Sequence, residues 1–181
     1  MSNRKREDIS DWYDLYSDAI LKFILLMVRD YQLAEDLTHD TFIKAYKHYD
    51  SFKGQSKVKT WLFSVAHHVT IDHLRKRKPL AYLKEILPTP DLESLPEEVI
   101  ELKEDSKELY EAIGKLKPSY RKVIMLRKIK EFSIKDTCAI LNWSESRVKT
   151  TLYRALPALE KQLKKGGYSY EESVSKAQRR I

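Results

Sequence analysis

The stretch FSIKDTCAILNWSESRVKTTLYRALPALEKQL, Phe132 to Leu163, decides how the rest of the chain is read. It divides into two helices joined by a tight turn. Ser133 is placed as the N-cap of the first, with Asp136 three residues on in a capping-box-like start. The apolar positions of this short helix are Ile134, Cys138 (or Thr137) and Leu141. Asn142-Trp143 makes the turn, and Ser144 caps the second helix. There Val148, Leu152, Ala155 and Leu159 follow at intervals of four, three and four, which is one helical stripe. That stripe is expected to pack inward against the first helix. The opposite face then presents Arg147, Lys149, Thr150, Thr151, Tyr153 and Arg154. The pattern is that of a helix-turn-helix whose second helix enters a DNA major groove. The alternative is a helical hairpin in a bundle with a solvated basic face.

Composition narrows the setting. Of 181 residues, only four are glycine and six proline, so little of the chain should be loop or strand. The net charge of +7 is unevenly spread. Residues 79–111 hold ten acidic residues against three lysines, a net of −7 that leaves +14 on the rest. Two basic blocks therefore flank an acidic connector, and basic blocks favour phosphate-rich partners through counterion release. A single cysteine, Cys138, excludes an internal disulfide and suits a reducing compartment. It reads as a small apolar residue on the inward stripe. The polar N-terminus carries no secretory signal. The longest apolar run, Phe23–Val28, is far short of a membrane span, so the expected location is cytoplasmic.

Taken in order, residues 1–8 are polar and expected to fray. A helix capped by Ser10 or Asp11 runs to about Arg29 and carries Trp12, Leu15, Tyr16, Ile20, Phe23 and Leu26 at helical spacing. A second spans about Leu33–Tyr49. Ser51–Lys59, with Gly54, reads as a loop. A third spans about Val58–Lys78, ends in the run Arg75-Lys76-Arg77-Lys78, and is expected to stop at Pro79. Residues 79–105 read as a linker, with a short helix proposed at Glu97–Leu102. Helical period returns near Lys103. Pro118 suits the first position of the next helix, and Gly166-Gly167 should end the last one. Pro157 is expected to bend the last helix and to end its reading portion near Leu156. The expected fold is all-α. Two small helical domains, 1–78 and 106–167, are joined by a flexible acidic linker, 79–105, and followed by a tail, 168–181.

The first domain joins aromatic residues to a cationic helix end. Cations track a nucleic-acid backbone and aromatic pockets accept unstacked bases. Trp61 sits on the apolar stripe, which favours a core anchor over a stacking platform. His67 and His68 point about 100° apart on a helix and cannot chelate together. With no His-Glu-x-x-His spacing, no second cysteine, no glycine-rich phosphate loop and no nucleophile elbow, neither a metal, nor a cofactor, nor a catalytic site is expected.

Three blocks in this order carry a resemblance: AEDLTHDTFIKAYKHYDSFKG (Ala34–Gly54), KTWLFSVAHHVTIDHLRKRK (Lys59–Lys78) and IGKLKPSYRKVIMLRKIKEFSIKDTCAILNWSESRVKTTLYRAL (Ile113–Leu156). The chain resembles a bacterial RNA polymerase sigma factor of the extracytoplasmic-function (ECF) group over about residues 12–165. The resemblance implies a factor that binds core polymerase and directs initiation at promoters with −10 and −35 elements, in an envelope or stress regulon. It places core-polymerase contacts, on the clamp helices of the largest subunit, at Glu35, Asp36, His39, Asp40 and Phe42. Family members usually have glutamine and glutamate where this chain has His39 and Asp40. It gives the −10 strand to the loop, through Phe52, Lys53, Gly54, Ser56 and Lys59, and to the third helix, through Trp61, His68, Asp72, Arg75, Lys76 and Arg77. It gives the −35 duplex to Ser144, Glu145, Ser146, Arg147, Lys149, Thr150, Thr151, Tyr153 and Arg154. It further implies contact with the polymerase flap, a membrane-linked anti-sigma partner and no small-molecule substrate. The main alternative is a stand-alone helix-turn-helix regulator of duplex DNA.

Overall fold

The computed structural model describes residues 2–54, 56–81, 104–167 and 175, and all regular structure among them is helical. The chain divides into two compact units. Residues 82–103 of the expected linker, with the helix proposed at Glu97–Leu102, and nearly all of the tail lie outside the described residues.

The first unit is a three-helix bundle. Helix α1 (Ser2–Val28) packs on α2 (Tyr31–Lys47), and both pack on α3 (Val58–Ala81). Arg29 takes a left-handed conformation (φ 58°) to close α1, and its N–H reaches the Leu25 carbonyl at 2.8 Å. Asp30 then caps α2, its carboxylate accepting from the Leu33 N–H at 2.9 Å. The two signals in adjacent residues make the reversal abrupt. The core holds Ile20, Phe23, Ile24, Leu37, Leu62 and Phe63, with Phe23 and Phe63 at 5.3 Å between ring centres. Each such side chain removed from water is worth about 1.5–3 kcal/mol. Thr38, Thr41 and Thr70 are also buried. Their hydroxyls donate to the carbonyls four residues back at 2.7–2.8 Å, so none of the three is stranded.

Two expectations fail here. Residues 2–8 are helical rather than frayed, because Lys5 and Asp8 have partners that no local pattern reveals. Helix α3 runs past Pro79 to Ala81. A proline in the last turn forfeits only its own N–H bond, and that costs too little to end the helix at once.

In the second unit α4 (Glu104–Gly114), α5 (Pro118–Ile124) and α7 (Glu145–Lys165) pack together. Pro118 stands at the first turn of α5 as its chemistry suggests. After Ile124 the chain widens into a π turn, Met125–Ile129, in which the Lys130 N–H reaches the Met125 carbonyl at 2.9 Å. Glu131 then turns left-handed (φ 56°), and the Arg127 guanidinium donates to the Phe132 carbonyl. This fixed corner launches α6 (Ile134–Leu141).

Candidate nucleic-acid interfaces

Helices α6 and α7 form the turn motif, and its caps follow the sequence closely. Ser133 Oγ accepts from the Asp136 N–H at 3.0 Å and donates to the Asp136 carboxylate at 2.5 Å. Asn142 ends α6 in the left-handed region (φ 53°), with the Trp143 N–H on the Cys138 carbonyl at 3.1 Å. Ser144 Oγ accepts from the Arg147 N–H at 3.3 Å and starts α7. Val148, Ala155, Leu159 and Leu163 are buried and Leu152 is half-buried. The main partners of α7 are α5 and α4 rather than α6. An eight-residue helix offers too short a surface to cover a stripe of this length. Within α6, Thr137 is the fully buried member of the pair and Cys138 is only partly covered. The Thr137 hydroxyl satisfies itself on the Ser133 carbonyl at 2.8 Å. Burial, aided by the charge of Glu145, still pushes the Cys138 thiol up, which disfavours a reactive thiolate.

The outer face of α7 presents Ser146, Arg147, Lys149, Thr150 and Arg154 to solvent, and Tyr153 is 81% exposed. Thr151 is half-buried at the edge of this face. Glu145 binds Lys149 at 2.5 Å and tempers one cation. Pro157 does not end the helix, which runs on to Lys165 before Gly166 caps it. Pro157 is itself exposed, so the one carbonyl it leaves free faces the solvent side of the helix. Sequence reasoning missed Trp143 and Lys122. The Arg147 guanidinium lies 4.0 Å from the Trp143 ring centre and Lys122 Nζ lies 5.3 Å from it. An aromatic residue four positions before an arginine, across a helix start, was the available signal for the first pair. Lys122 comes from α5 and had none.

The first unit gathers an aromatic cluster at the base of its loop. A single 3₁₀ turn, Tyr49–Ser51, leads into Phe52. Phe52 lies 5.0 Å from Trp61 and 5.9 Å from Trp12 between ring centres, and Trp12 stacks on Tyr49 at 5.6 Å. Trp61 is half-buried in this cluster, neither a deep core anchor nor a free platform. Beyond it, Lys53, Gly54 and Ser56 are exposed, with Gly54 in the left-handed region (φ 67°) that admits a sharp turn. Lys59 is half-buried. On α3, His68, Asp72, Arg75 and Lys76 share one side at helical spacing. Asp72 pairs with Arg75 at 3.2 Å and meets Lys44 of α2 at 4.0 Å. The Arg77 side chain lies outside the described residues.

On α2, Asp36, His39 and Asp40 are exposed and Glu35 is half-buried. His39 donates to the Glu35 carbonyl at 3.1 Å and faces the Tyr13 hydroxyl at 3.5 Å. Phe42 corrects the sequence reading. It is only 5% exposed and packs edge-on to Tyr13 at 4.9 Å, so it anchors the helix to α1 rather than lying on its open face. Ile43, the next residue and 52% exposed, is the apolar side chain on the surface there.

A bundle with a polar-rimmed aromatic loop and a second unit whose helix-turn-helix exposes a basic face define an all-helical, two-unit protein of the nucleic-acid-binding class. Family models agree: sigma-70 region 2 matches residues 12–79 and sigma-70 region 4 matches residues 106–159. The ECF RNA polymerase sigma factor SigX of Bacillus subtilis is 37% identical over 83% of this chain and 81% of its own length. SigW of the same organism is 36% identical over 88% of this chain and 90% of its own. The sigma factor RpoE of Bartonella quintana, solved in complex with the anti-sigma factor NepR, superposes with a TM-score of 0.70 at 25% identity, covering 87% of this chain and 98% of that one. The chain belongs to the sigma-70 family of RNA polymerase sigma factors, in its ECF group. Its function is promoter-specific initiation of transcription. No helix among the described residues is long and apolar enough to cross a membrane.

Proposed function

We propose that this chain divides promoter recognition between residues 1–78 and 106–167, with the acidic segment 79–105 threading between them along the polymerase. The first unit holds the opened −10 strand. Phe52, Lys53, Gly54, Ser56 and Lys59 form the loop that accepts an unstacked base beside Trp61. Arg75, Lys76 and Arg77 follow the backbone, with His68 and Asp72 on the same side of the helix, Asp72 orienting Arg75. The second unit reads the −35 duplex with Arg147, Thr150, Thr151 and Arg154. Ser144, Glu145, Ser146, Lys149 and Tyr153 flank that row.

The observation that carries the reading is the pairing of two unlike surfaces in one chain. A half-buried aromatic cluster under an exposed cationic loop suits single strands, and an exposed basic face on a capped helix suits a duplex groove. A stand-alone duplex regulator leaves the first surface without a task. Asp36, His39 and Asp40, with Glu35 behind them, form the face for the polymerase clamp, and Ile43 replaces Phe42 as its apolar contact. The second unit also touches the flap. Neither unit needs catalytic groups, because the polymerase carries the chemistry, and the work is cytoplasmic. The Bartonella relative was solved with an anti-sigma factor, and a partner of that class, membrane-linked, would hold this chain inactive.

The test is base substitution in each promoter element with matched variants. Lys53→Glu should abolish discrimination at −10 while sparing −35, and Arg154→Ala the reverse. Loss of both discriminations in either variant would contradict the division.

A further inference from the structure

The region 2 match begins at residue 12, yet the helix begins ten residues earlier. Those first turns lie against the base of the loop. Lys5 Nζ stands 4.7 Å from the centre of the Tyr46 ring and 5.7 Å from that of Tyr49, and pairs with Asp50 at 3.4 Å. Three residues on, the Asp8 carboxylate accepts a hydrogen bond from the Tyr49 hydroxyl. Four residues further, Trp12 stacks on Tyr49 and meets Phe52 and Trp61 edge-on, at 5.9 and 6.0 Å. Spacings of three and four put Lys5, Asp8 and Trp12 on one helix face.

What this face grips is specific. Tyr49 and Asp50 belong to the 3₁₀ turn, whose own backbone bonds are local: Ser51 N–H to the His48 carbonyl at 2.9 Å and Phe52 N–H to the Tyr49 carbonyl at 3.0 Å. Such a turn has little rigidity of its own. Lys5 and Asp8 supply it from outside, and they do so at the loop rather than in the bundle core. The Asp8 hydrogen bond, with some desolvation, also raises the Tyr49 phenol above its ordinary range, so it stays a neutral donor.

We propose that residues 2–9 brace the loop that takes the −10 strand, with Lys5 and Asp8 as positioning residues that act through Tyr49 and Asp50 on the placement of Phe52. This rests on the reading of Ser51–Lys59 as the strand-holding loop. A base pocket held in advance loses less freedom when the strand arrives, and so binds it more tightly.

The experiment uses full-length protein bound to core polymerase. Two probes are titrated: a single-stranded oligonucleotide bearing the −10 element of a promoter the protein transcribes, and a duplex bearing its −35 element. Asp8→Ala and Tyr49→Phe are each expected to weaken oligonucleotide binding about three- to tenfold. The double variant should lose no more than the worse single one. Duplex binding and melting temperature should stay unchanged, and Lys5→Arg should bind as the parent does while Lys5→Glu binds like Asp8→Ala. Unchanged oligonucleotide binding, additive losses, or a matching fall in duplex binding and melting temperature would overturn the brace. Phe52→Ala separates the two layers. If it weakens oligonucleotide binding while the Asp8 and Tyr49 variants do not, the brace alone fails. If it has no effect either, the loop reading fails, and the brace with it.

Discussion

The guanidinium of Arg147 rests 4.0 Å from the ring centre of Trp143, across the start of α7. Trp143 is half-buried in the turn and Arg147 is exposed one turn into α7. The ring therefore holds a long, otherwise mobile side chain on the face proposed to read the −35 duplex. A cation over an aromatic face is worth about 0.5–1 kcal/mol at an exposed site. Trp143→Ala should weaken binding to a −35 duplex about two- to fivefold, and Trp143→Tyr should restore most of it. Fluorescence anisotropy with the holoenzyme reads both. Equal binding by all three proteins would show that the stacking does not position Arg147 for DNA.

Lys122 shares that ring, and its charge is held at a cost. Burial lowers its pKa, and the neighbouring Arg147 and Arg121 lower it further. The folded protein thus releases this proton at a lower pH than the unfolded chain does. Between the two pKa values the unfolded state binds more protons, so the stability linked to Lys122 is depressed at neutral pH and recovers as pH rises towards about 10.4. Lys122→Met should remove the penalty: its melting temperature at pH 7 should not fall, and the recovery at alkaline pH should shrink. If Lys122 also meets a phosphate, the salt dependence of duplex binding should become shallower by about one ion. A lower melting temperature at pH 7 would contradict the sign.

The corner before the motif depends on Ser133, whose hydroxyl both accepts from the Asp136 N–H and donates to the Asp136 carboxylate. Ser133→Ala should cost about 1 kcal/mol of stability, measured by chemical denaturation, and Ser133→Thr should retain most of it. A change well below that would mean the short helix is held by packing alone.

Neighbours on α2 should behave in opposite ways. Asp36 is exposed, so Asp36→Arg should reduce affinity for core polymerase without altering the melting temperature. Phe42 is buried beside Tyr13, so Phe42→Ala should cost about 3–5 kcal/mol of stability. A stable Phe42→Ala protein with selectively lost core binding would restore that residue to the docking face.

These cases show which features local chemistry encodes. Ser133, Ser144 and Pro118 announce helix starts because each acts on backbone within one turn of itself. The buried stripe of α7 is equally local, since its spacing alone defines a face. Phe42 and Ile43 are adjacent and both apolar, and only the position of Tyr13 decides which is covered. Residues 2–8 look polar and unstructured because their partners, Tyr46, Tyr49 and Asp50, lie about forty positions away. Pro79 and Pro157 do not end their helices, since each removes one hydrogen bond from a helix otherwise intact. Of the candidate contacts, the exposed cations were legible from spacing and Trp143 from its place four positions before Arg147, while Lys122 and the brace needed tertiary proximity.

One chain is proposed to supply both promoter contacts to a polymerase that performs the chemistry. The most direct measurement adds the purified protein to core RNA polymerase and maps transcript starts on a genomic template library. Discrete starts should appear only with the protein and share one −10 and one −35 sequence, with Arg154→Ala relaxing the second alone. Tight sequence-specific binding to free duplex, with no association with core and no new starts, would contradict it.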